Sequence, residues 1–314
     1  MTEKRSAPLR LGTRASPLAM AQAHMVADSL CLAHGWTRDA IEICPVTASG
    51  DKILDRPLAD IGGKALWTKE LDIDIMNGNI DFAVHSMKDV ETIRPDALTI
   101  AAMLPRADVR DRLIGAESII ALPHGARIGT SSPRRAAQMR HIRPDLNIVM
   151  FRGNVDTRLR KLAEGEADAT LLAAAGLVRL GRFDVGTPIA VEEMLPAASQ
   201  GAIGIEARSD RQDILDLLSA INDRDTFDCV MAERYLLAGL NAGCHSPVAA
   251  YATVREGEGR EEGLLLRAEI MSEDGSERVA LGVGIQRGDA DGCHLMAQQL
   301  LAAASMELRA LFGA

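Results

Sequence analysis

Apolar residues along this chain occur in two rhythms: short runs that end abruptly in glycine or charge, and longer stretches with apolar positions at helical spacing. Their alternation predicts strands and helices in turn. Leu9 to Leu11 predicts a strand; Ser16 then suits an N-cap and Pro17 the first helical position, so a helix should run from Pro17 to His34 and stop at Gly35. Ala40 to Thr47 predicts a second strand, and Thr68 to Asn77 a short amphipathic helix. Phe82-Ala83-Val84 predicts a buried strand that breaks into His85, Ser86, Lys88 and Asp89. The opening punctuation returns at Arg127 to Arg135 as strand, Gly-Thr, Ser-Pro and helix, which points to two α/β domains built alike. Leu146 to Phe151, Ala167 to Ala174 and Ile203 to Glu206 predict further strands.

The last third changes character. Helices are expected near Ile214 to Ile221 and Phe227 to Leu240, followed by β-rich stretches at Ala249 to Arg255, Leu264 to Met271 and Arg278 to Ile285. Gly257-Glu258-Gly259 and Glu273-Asp274-Gly275 supply hairpin turns. Asp289 to Leu311 reads as one closing amphipathic helix with Leu295, Leu300, Leu301 and Leu308 towards a core. A small α+β domain with three antiparallel strands is expected here.

Composition narrows the function classes. The 314 residues suffice for two or three domains, and 47% apolar with 25% charged residues is ordinary for a globular protein. A formal net charge of -9 and 3% aromatics argue against a general binder of nucleic acid or anionic membrane. No stretch has a signal-peptide core or the roughly 18 apolar residues of a membrane span, so a cytoplasmic protein is expected. Cys31, Cys44, Cys229, Cys244 and Cys293 are scattered without a C-x-x-C, which predicts reduced thiols and no metal site.

Candidate chemistry gathers at the predicted strand ends. Lys88 and Asp89 leave a buried strand where open α/β sheets bind ligands, though a solvated strand exit with an ion pair fits the same residues. Both Ser-Pro helix starts offer free N–H groups beside arginine: Arg14 with Ser16, and Ser132 with Arg134 and Arg135. From Arg127 to Arg160 eight arginines face only Asp145 and Asp156, a local surplus of six positive charges in an acidic chain. Guanidinium grips carboxylate or phosphate in bidentate fashion, so a polyanionic ligand is implied. Arg140, Arg143 and Arg160 read as solvated helix faces. The glycine-punctuated segment from Ala48 to Lys64 reads as a cationic lid or a plain loop.

Val84-His85-Ser86-Met87-Lys88-Asp89, Gly129-Thr130-Ser131-Ser132 with Arg134-Arg135, Arg152-Gly153-Asn154-Val155 with Thr157-Arg158, Leu195-Pro196-Ala197 with Gln200-Gly201-Ala202, and Gly243-Cys244 together resemble the porphobilinogen deaminase (hydroxymethylbilane synthase) family. The motifs run in family order over nearly the whole chain. The resemblance implies a transferase of porphyrin, haem and tetrapyrrole biosynthesis that joins four porphobilinogens head to tail, releasing ammonia at each step. It implies a dipyrromethane cofactor attached through Cys244, with Lys88, Ser132, Arg134, Arg135 and Arg158 binding it. Arg14, Ser16, Lys64, Arg152, Arg179 and Gln200 would bind substrate, Gln200 near an interdomain hinge, and Asp89 would be catalytic, steadying positive charge on the pyrroles.

The resemblance also implies two domains like type II periplasmic binding proteins: residues 1–104 with 199–221, and 105–198. A third domain over 222–314 would anchor the cofactor, in a monomer with no nucleic-acid or membrane partner. Trp67, Asp60, Pro133 and Ser199 depart from residues common in the family, without removing an expected charged ligand. Two other classes fit parts of the pattern: a two-domain anion-binding protein of periplasmic type without catalysis, and a nucleic-acid binder using Arg127 to Arg160.

Overall fold

The computed structural model describes residues 7–46, 68–243, 245–255 and 263–314. The first strands are β1 (Leu9–Arg14), β2 (Ile41–Val46), β3 (Phe82–Ser86), β4 (Leu98–Met103) and β5 (Asp111–Ile114). They are followed by β6 (Arg127–Gly129), β7 (Asn147–Val149), β8 (Ala169–Ala173), β9 (Thr187–Pro188) and β10 (Ile203–Arg208). The last three are β11 (Val248–Val254), β12 (Leu264–Met271) and β13 (Arg278–Ile285). The helices are α1 (Pro17–His34), α2 (Lys69–Met76), α3 (Pro133–Ile142), α4 (Val155–Ala163) and α5 (Ala174–Arg179), then α6 (Gln212–Ser219), α7 (Arg224–Gly239), α8 (Ala290–Ala303) and α9 (Met306–Ala310).

The chain divides into two compact units, Met1–Ala107 with Ala202–Phe227, and Asp108–Gly201 with Asp228–Ala314. In the first unit the sheet order is β2-β1-β3-β10-β4, with β1 parallel to β2 and β3, and β10 antiparallel to β3 and β4. The second unit repeats this plan as β7-β6-β8-β5-β9, with β6 parallel to β7 and β8, and β5 antiparallel to β8 and β9. Its other sheet, β11-β12-β13, is antiparallel throughout. The fold is therefore α/β with two mixed sheets built alike, plus a three-stranded antiparallel sheet towards the C-terminus.

Local chemistry explains the elements that position chemistry. The Ser16 hydroxyl accepts from the Ala19 N–H, Pro17 follows, and Gly35 closes α1 in the left-handed region at φ 66°. Buried Ala23, Val26 and Leu30 on α1 pack against Leu11, Phe82, Val84 and Ile205 of the first sheet. Leu113, Ile128, Met139 and Leu171 form the corresponding core of the second. Leu236, Leu266, Ile270, Met296 and Leu300 fill the core under the antiparallel sheet. No helix among the described residues is long and apolar enough to cross a membrane.

The closing segment differs from expectation. It breaks into α8 and α9 because Ser305 caps a new helix through the Leu308 N–H, and Ala304 turns extended at ψ 154°. Leu300 and Leu308 are buried, but Leu295 faces solvent at 55% exposure. The expected turn at 257–259 lies outside the described residues.

Candidate functional site

In the first unit, β3 ends at Ser86 and a 3-10 turn over Met87–Asp89 follows. Met87 anchors this turn: its N–H donates to Ala202 O at 3.1 Å and its buried side chain lies over Gly204, where an added Cβ would stand 2.0 Å from the Met87 sulfur. Asp89 is thereby presented beside the carboxyl edge of the sheet. It lines a recess with Arg14 from the end of β1, Ser16, Gln22, Thr68, His85 and Ser86. The Gln22 side chain and the Ser86 hydroxyl hydrogen-bond at 2.7–3.0 Å, fastening α1 to the end of β3. Arg14, Ser16 and Asp89, separate in sequence, are thus brought together. A guanidinium, a carboxylate and hydroxyls in one recess suit a ligand that carries both anionic groups and a positive centre. Lys88 stands half-buried on the same turn.

In the second unit the parallel strands β6, β7 and β8 deliver Ser132, Arg152 and α5 to one sheet edge. Ser132 caps α3, accepting from Arg135 N at 3.4 Å. Arg134 and Arg135 are buried and converge on Asp111, with Nη2 to the two Oδ atoms at 2.7 and 2.6 Å. Arg134 also donates to Leu195 O at 2.8 Å and Arg135 to Leu171 O at 2.9 Å. Burial would raise the Asp111 pKa, but the two guanidinium groups outweigh it and hold the carboxyl far below the usual range; burial pulls Arg134 down. Gln200 is buried and donates to Val109 O at 2.7 Å and Asp111 Oδ1 at 2.9 Å, so it belongs to the same cluster. Asp111 escapes a sequence reading because charged Arg110 and Arg112 flank it on a strand without an apolar run. Two adjacent arginines at buried helical positions are the signal that an acid must meet them.

Most of the arginine surplus has internal partners. Arg127 pairs with Asp168 at 2.9 Å, and exposed Arg160 with Glu164 at 2.7 Å. Arg143, expected on a solvated face, instead pairs with Asp145 and donates to the carbonyls of Ile119, Ile120 and Leu122, stapling a loop. Arg140 donates to Glu273 O at 3.0 Å. Arg158 Nε donates to Gly153 O at 3.0 Å. Among the described residues, Arg152 Nη1 and Arg179 Nε are buried without a hydrogen-bond partner, as are the Nε atoms of Arg134 and Arg135, but Arg152 and Arg179 have no ion pair with an acid there. Arg179 Nη2 donates to Gly201 O at 2.6 Å, but no acid among the described residues offsets its desolvation, which lowers the guanidinium to about 10. Desolvation, then the Arg152 charge, lowers the pKa of the His245 imidazole. Both effects favour the neutral imidazole. Cys244, Lys64, Asp60, Trp67 and the expected lid lie outside the described residues.

Residues 9–216 match the family described as porphobilinogen deaminase, dipyromethane cofactor binding domain, and residues 227–303 match porphobilinogen deaminase, C-terminal domain. The chain belongs to the porphobilinogen deaminase family. It is 58% identical over 97% of its length to the porphobilinogen deaminase of Sphingopyxis alaskensis, covering 96% of that protein. To that of Paracoccus denitrificans it is 50% identical, over 87% of each chain. An ancestral arginine-binding protein solved with arginine aligns at 14% identity over 74% of this chain and 98% of its own, with a TM-score of 0.40. The sheet orders, not that superposition, carry the architecture.

Family membership makes the chain a transferase of tetrapyrrole biosynthesis, a hydroxymethylbilane synthase acting on porphobilinogen and built on a dipyrromethane-binding domain. A non-catalytic anion-binding protein is not favoured. The Ser199 departure now has a structural meaning: it adopts φ 63°, a left-handed conformation that glycine takes without strain.

Proposed function

We propose that Asp89 is the catalytic carboxylate of this synthase and that Cys244 carries the dipyrromethane through a thioether. The observation that carries the first assignment is the recess that places Asp89 with Arg14 and Ser16. The buried N–H groups of Arg152 and Arg179 are donors that fit the carboxylates of pyrrole acetate and propionate side chains. When bound, the dipyrromethane supplies the pyrrole carbon to which the first substrate is joined.

The chain's own residues then have distinct tasks. Arg14 and Ser16 orient a substrate carboxylate in the recess, with Lys64 assisting, while Arg152, Arg179 and Gln200 serve substrate in the second unit. Lys88, Ser132, Arg134, Arg135 and Arg158 hold the cofactor. Arg134 and Arg135 do so with Asp111 fixing their head groups. As the substrate's C–N bond breaks, its electron pair leaves with the nitrogen, which departs as ammonia. Positive charge then develops on the pyrrole, where a fixed carboxylate stabilises it better than reorganising water. Asp89 is that carboxylate, and it helps move the proton lost when the new C–C bond forms. His245, next to Cys244 in sequence, assists by favouring the thiolate.

The same proposal includes three domains, 1–104 with 199–221, 105–198 and 222–314, because each contains a sheet with its own core. It includes a monomer, checked by sedimentation, and a cytoplasmic setting, which the scattered cysteines fit because reducing compartments keep thiols free. The test of the central claim is intact mass. Active protein should exceed its sequence mass by one dipyrromethane, mapped to the Cys244 peptide. Cys244→Ala should lose the excess and porphobilinogen turnover together, while Cys31→Ala and Cys293→Ala keep both. An adduct on another cysteine, or active protein of unmodified mass, overturns the attachment.

A further inference from the structure

Behind the Asp89 recess lies an ionic cluster to which the reaction just described assigns no task. Arg94 sits five residues after Asp89, in the irregular segment between the 3-10 turn and β4, with its side chain 8% exposed. Its Nε donates to Glu206 Oε1 at 2.8 Å and its Nη2 to Glu206 Oε2 at 2.9 Å, a two-pronged grip on β10. The same Nη2 reaches Asp72 Oδ1 of α2 at 2.5 Å. Nη1 donates to Glu91 Oε2 at 2.6 Å and, more weakly, to Thr68 Oγ1 at 3.4 Å. Thr68 closes the ring by donating to Glu91 Oε2 at 2.8 Å, and His85 Nε2 lies 3.3 Å from Glu206 Oε2. Three carboxylates from three parts of the first unit therefore meet on one guanidinium.

Stability alone is a poor reason for this arrangement. Burial favours the neutral forms of Glu206, Asp72 and Arg94. It would raise Glu206 and lower Arg94; the His85 ring 3.3 Å away and the hydrogen bonds from Arg94 instead bring Glu206 down to about 2, and Glu206 and Asp72 lift Arg94 above its ordinary value. At Asp72 desolvation wins, and its pKa stays raised. A buried ionic group of this kind is commonly no more stabilising than well-packed apolar residues. What a planar five-donor head group adds is geometry, since it fixes the directions of several partners at once.

Those directions bear on the recess. Thr68 and His85 line it beside Asp89, and both belong to the cluster. Asp89 itself lies between the end of β3 and the segment that Arg94 fastens. We propose that Arg94 is a positioning residue for the synthase reaction, bracing the Asp89 turn and the Thr68 wall against β10 and α2. The inference rests on the assignment of Asp89.

Steady-state kinetics of cofactor-loaded Arg94→Gln and Arg94→Lys, alone and combined with Asp89→Asn, test it. Since displacement by about 1 Å can cost about 10²-fold, Arg94→Gln should lower kcat roughly 10- to 100-fold. KM should change less than about threefold, because the substrate's carboxylate ligands are untouched. Arg94→Lys, keeping charge but not the fork, should fall between. If Arg94 acts through Asp89, Arg94→Gln should cost less than about twofold in the Asp89→Asn background. Equal losses in both backgrounds, an unchanged kcat with only a lowered Tm, or a KM that accounts for the loss would each overturn the proposal. Should Arg94→Gln not fold, Asp72→Asn keeps the Glu206 and Glu91 bonds and weakens only the α2 brace. It should lower kcat about 3- to 10-fold with the same non-additivity, and additivity there overturns the proposal equally. Near-normal turnover of Asp89→Asn alone overturns the Asp89 assignment and this inference with it. A slow Asp89→Asn with additive Arg94→Gln overturns only the inference.

Discussion

Arg134 and Arg179 carry the same charge into opposite circumstances. Arg134 is buried against Asp111, and Arg135 shares that acid, so removing Arg134 leaves a buried carboxylate with one guanidinium instead of two, beside the Gln200 amide. Arg134→Leu should therefore lose about 3–5 kcal/mol of folding stability, besides impairing cofactor binding. Among the described residues Arg179 is desolvated beside no acid, with its Nε unmet. Arg179→Leu should leave Tm unchanged or raise it, while kcat/KM falls about 10- to 100-fold, the scale of a hydrogen bond to a charged ligand. Arg140→Leu, which loses only a bond to the Glu273 carbonyl, should be near neutral in both assays. Thermal denaturation alongside steady-state kinetics separates the three. A lowered Tm in Arg179→Leu without a kinetic defect would make Arg179 a structural residue.

At the scale of elements, two turns should respond oppositely to small substitutions. Gly153 has φ 113°, and a Cβ there would lie 2.6 Å from Thr157 Cγ2 in the first turn of α4. Gly153→Ala should cost about 1–3 kcal/mol and displace neighbouring Arg152. Ser199 already occupies the left-handed region at φ 63°, so Ser199→Gly exchanges backbone strain for unfolded-state entropy and should change stability by less than about 1 kcal/mol. A denaturant midpoint series checks both; a tolerant Gly153→Ala would mean that the Arg152 turn relaxes freely.

The same elements show what was legible in the sequence. Helix α1 is delimited to the residue by Ser16, Pro17 and Gly35, and β12 and β13 by their apolar runs. The split of the closing helix was hidden because Ser305 is an ordinary polar residue until Ala304 turns extended. Strand β5 was hidden because it begins Asp111-Arg112, which reads as a charged loop. In the site, Asp89 and Arg14 announce themselves at strand ends, whereas Asp111 and Arg94 do not. Arg94 meets Glu206 across 112 positions of sequence, through a strand pairing that no local pattern encodes.

For the whole molecule, acid should act through a few buried carboxylates more than through net charge. The formal charge of -9 shrinks as pH falls from 7 towards 5, which relieves self-repulsion and would leave stability level or slightly higher. Lower down the sign reverses. Asp111 in the second unit and Glu206 in the first both have folded-state pKa values below their ordinary ones, Glu206 at about 2 against 4.5. A depressed carboxylate contributes stability that is present above its unfolded pKa and is lost as pH falls towards its folded one. Tm should therefore drop steeply from about pH 4.5 downward, when unfolded chains begin to take up protons that these two acids refuse in the fold. Asp111→Asn should be less stable at pH 7, because Arg134 and Arg135 lose their acid, yet lose less further stability between about pH 4.5 and 2.5, since one group that drives the loss is gone. Glu206→Gln should flatten the same limb by removing the other. Calorimetric scans across pH 7 to 2.5 decide the matter: acid limbs of the variants that run parallel to the unsubstituted protein's would show that neither carboxylate governs its acid stability.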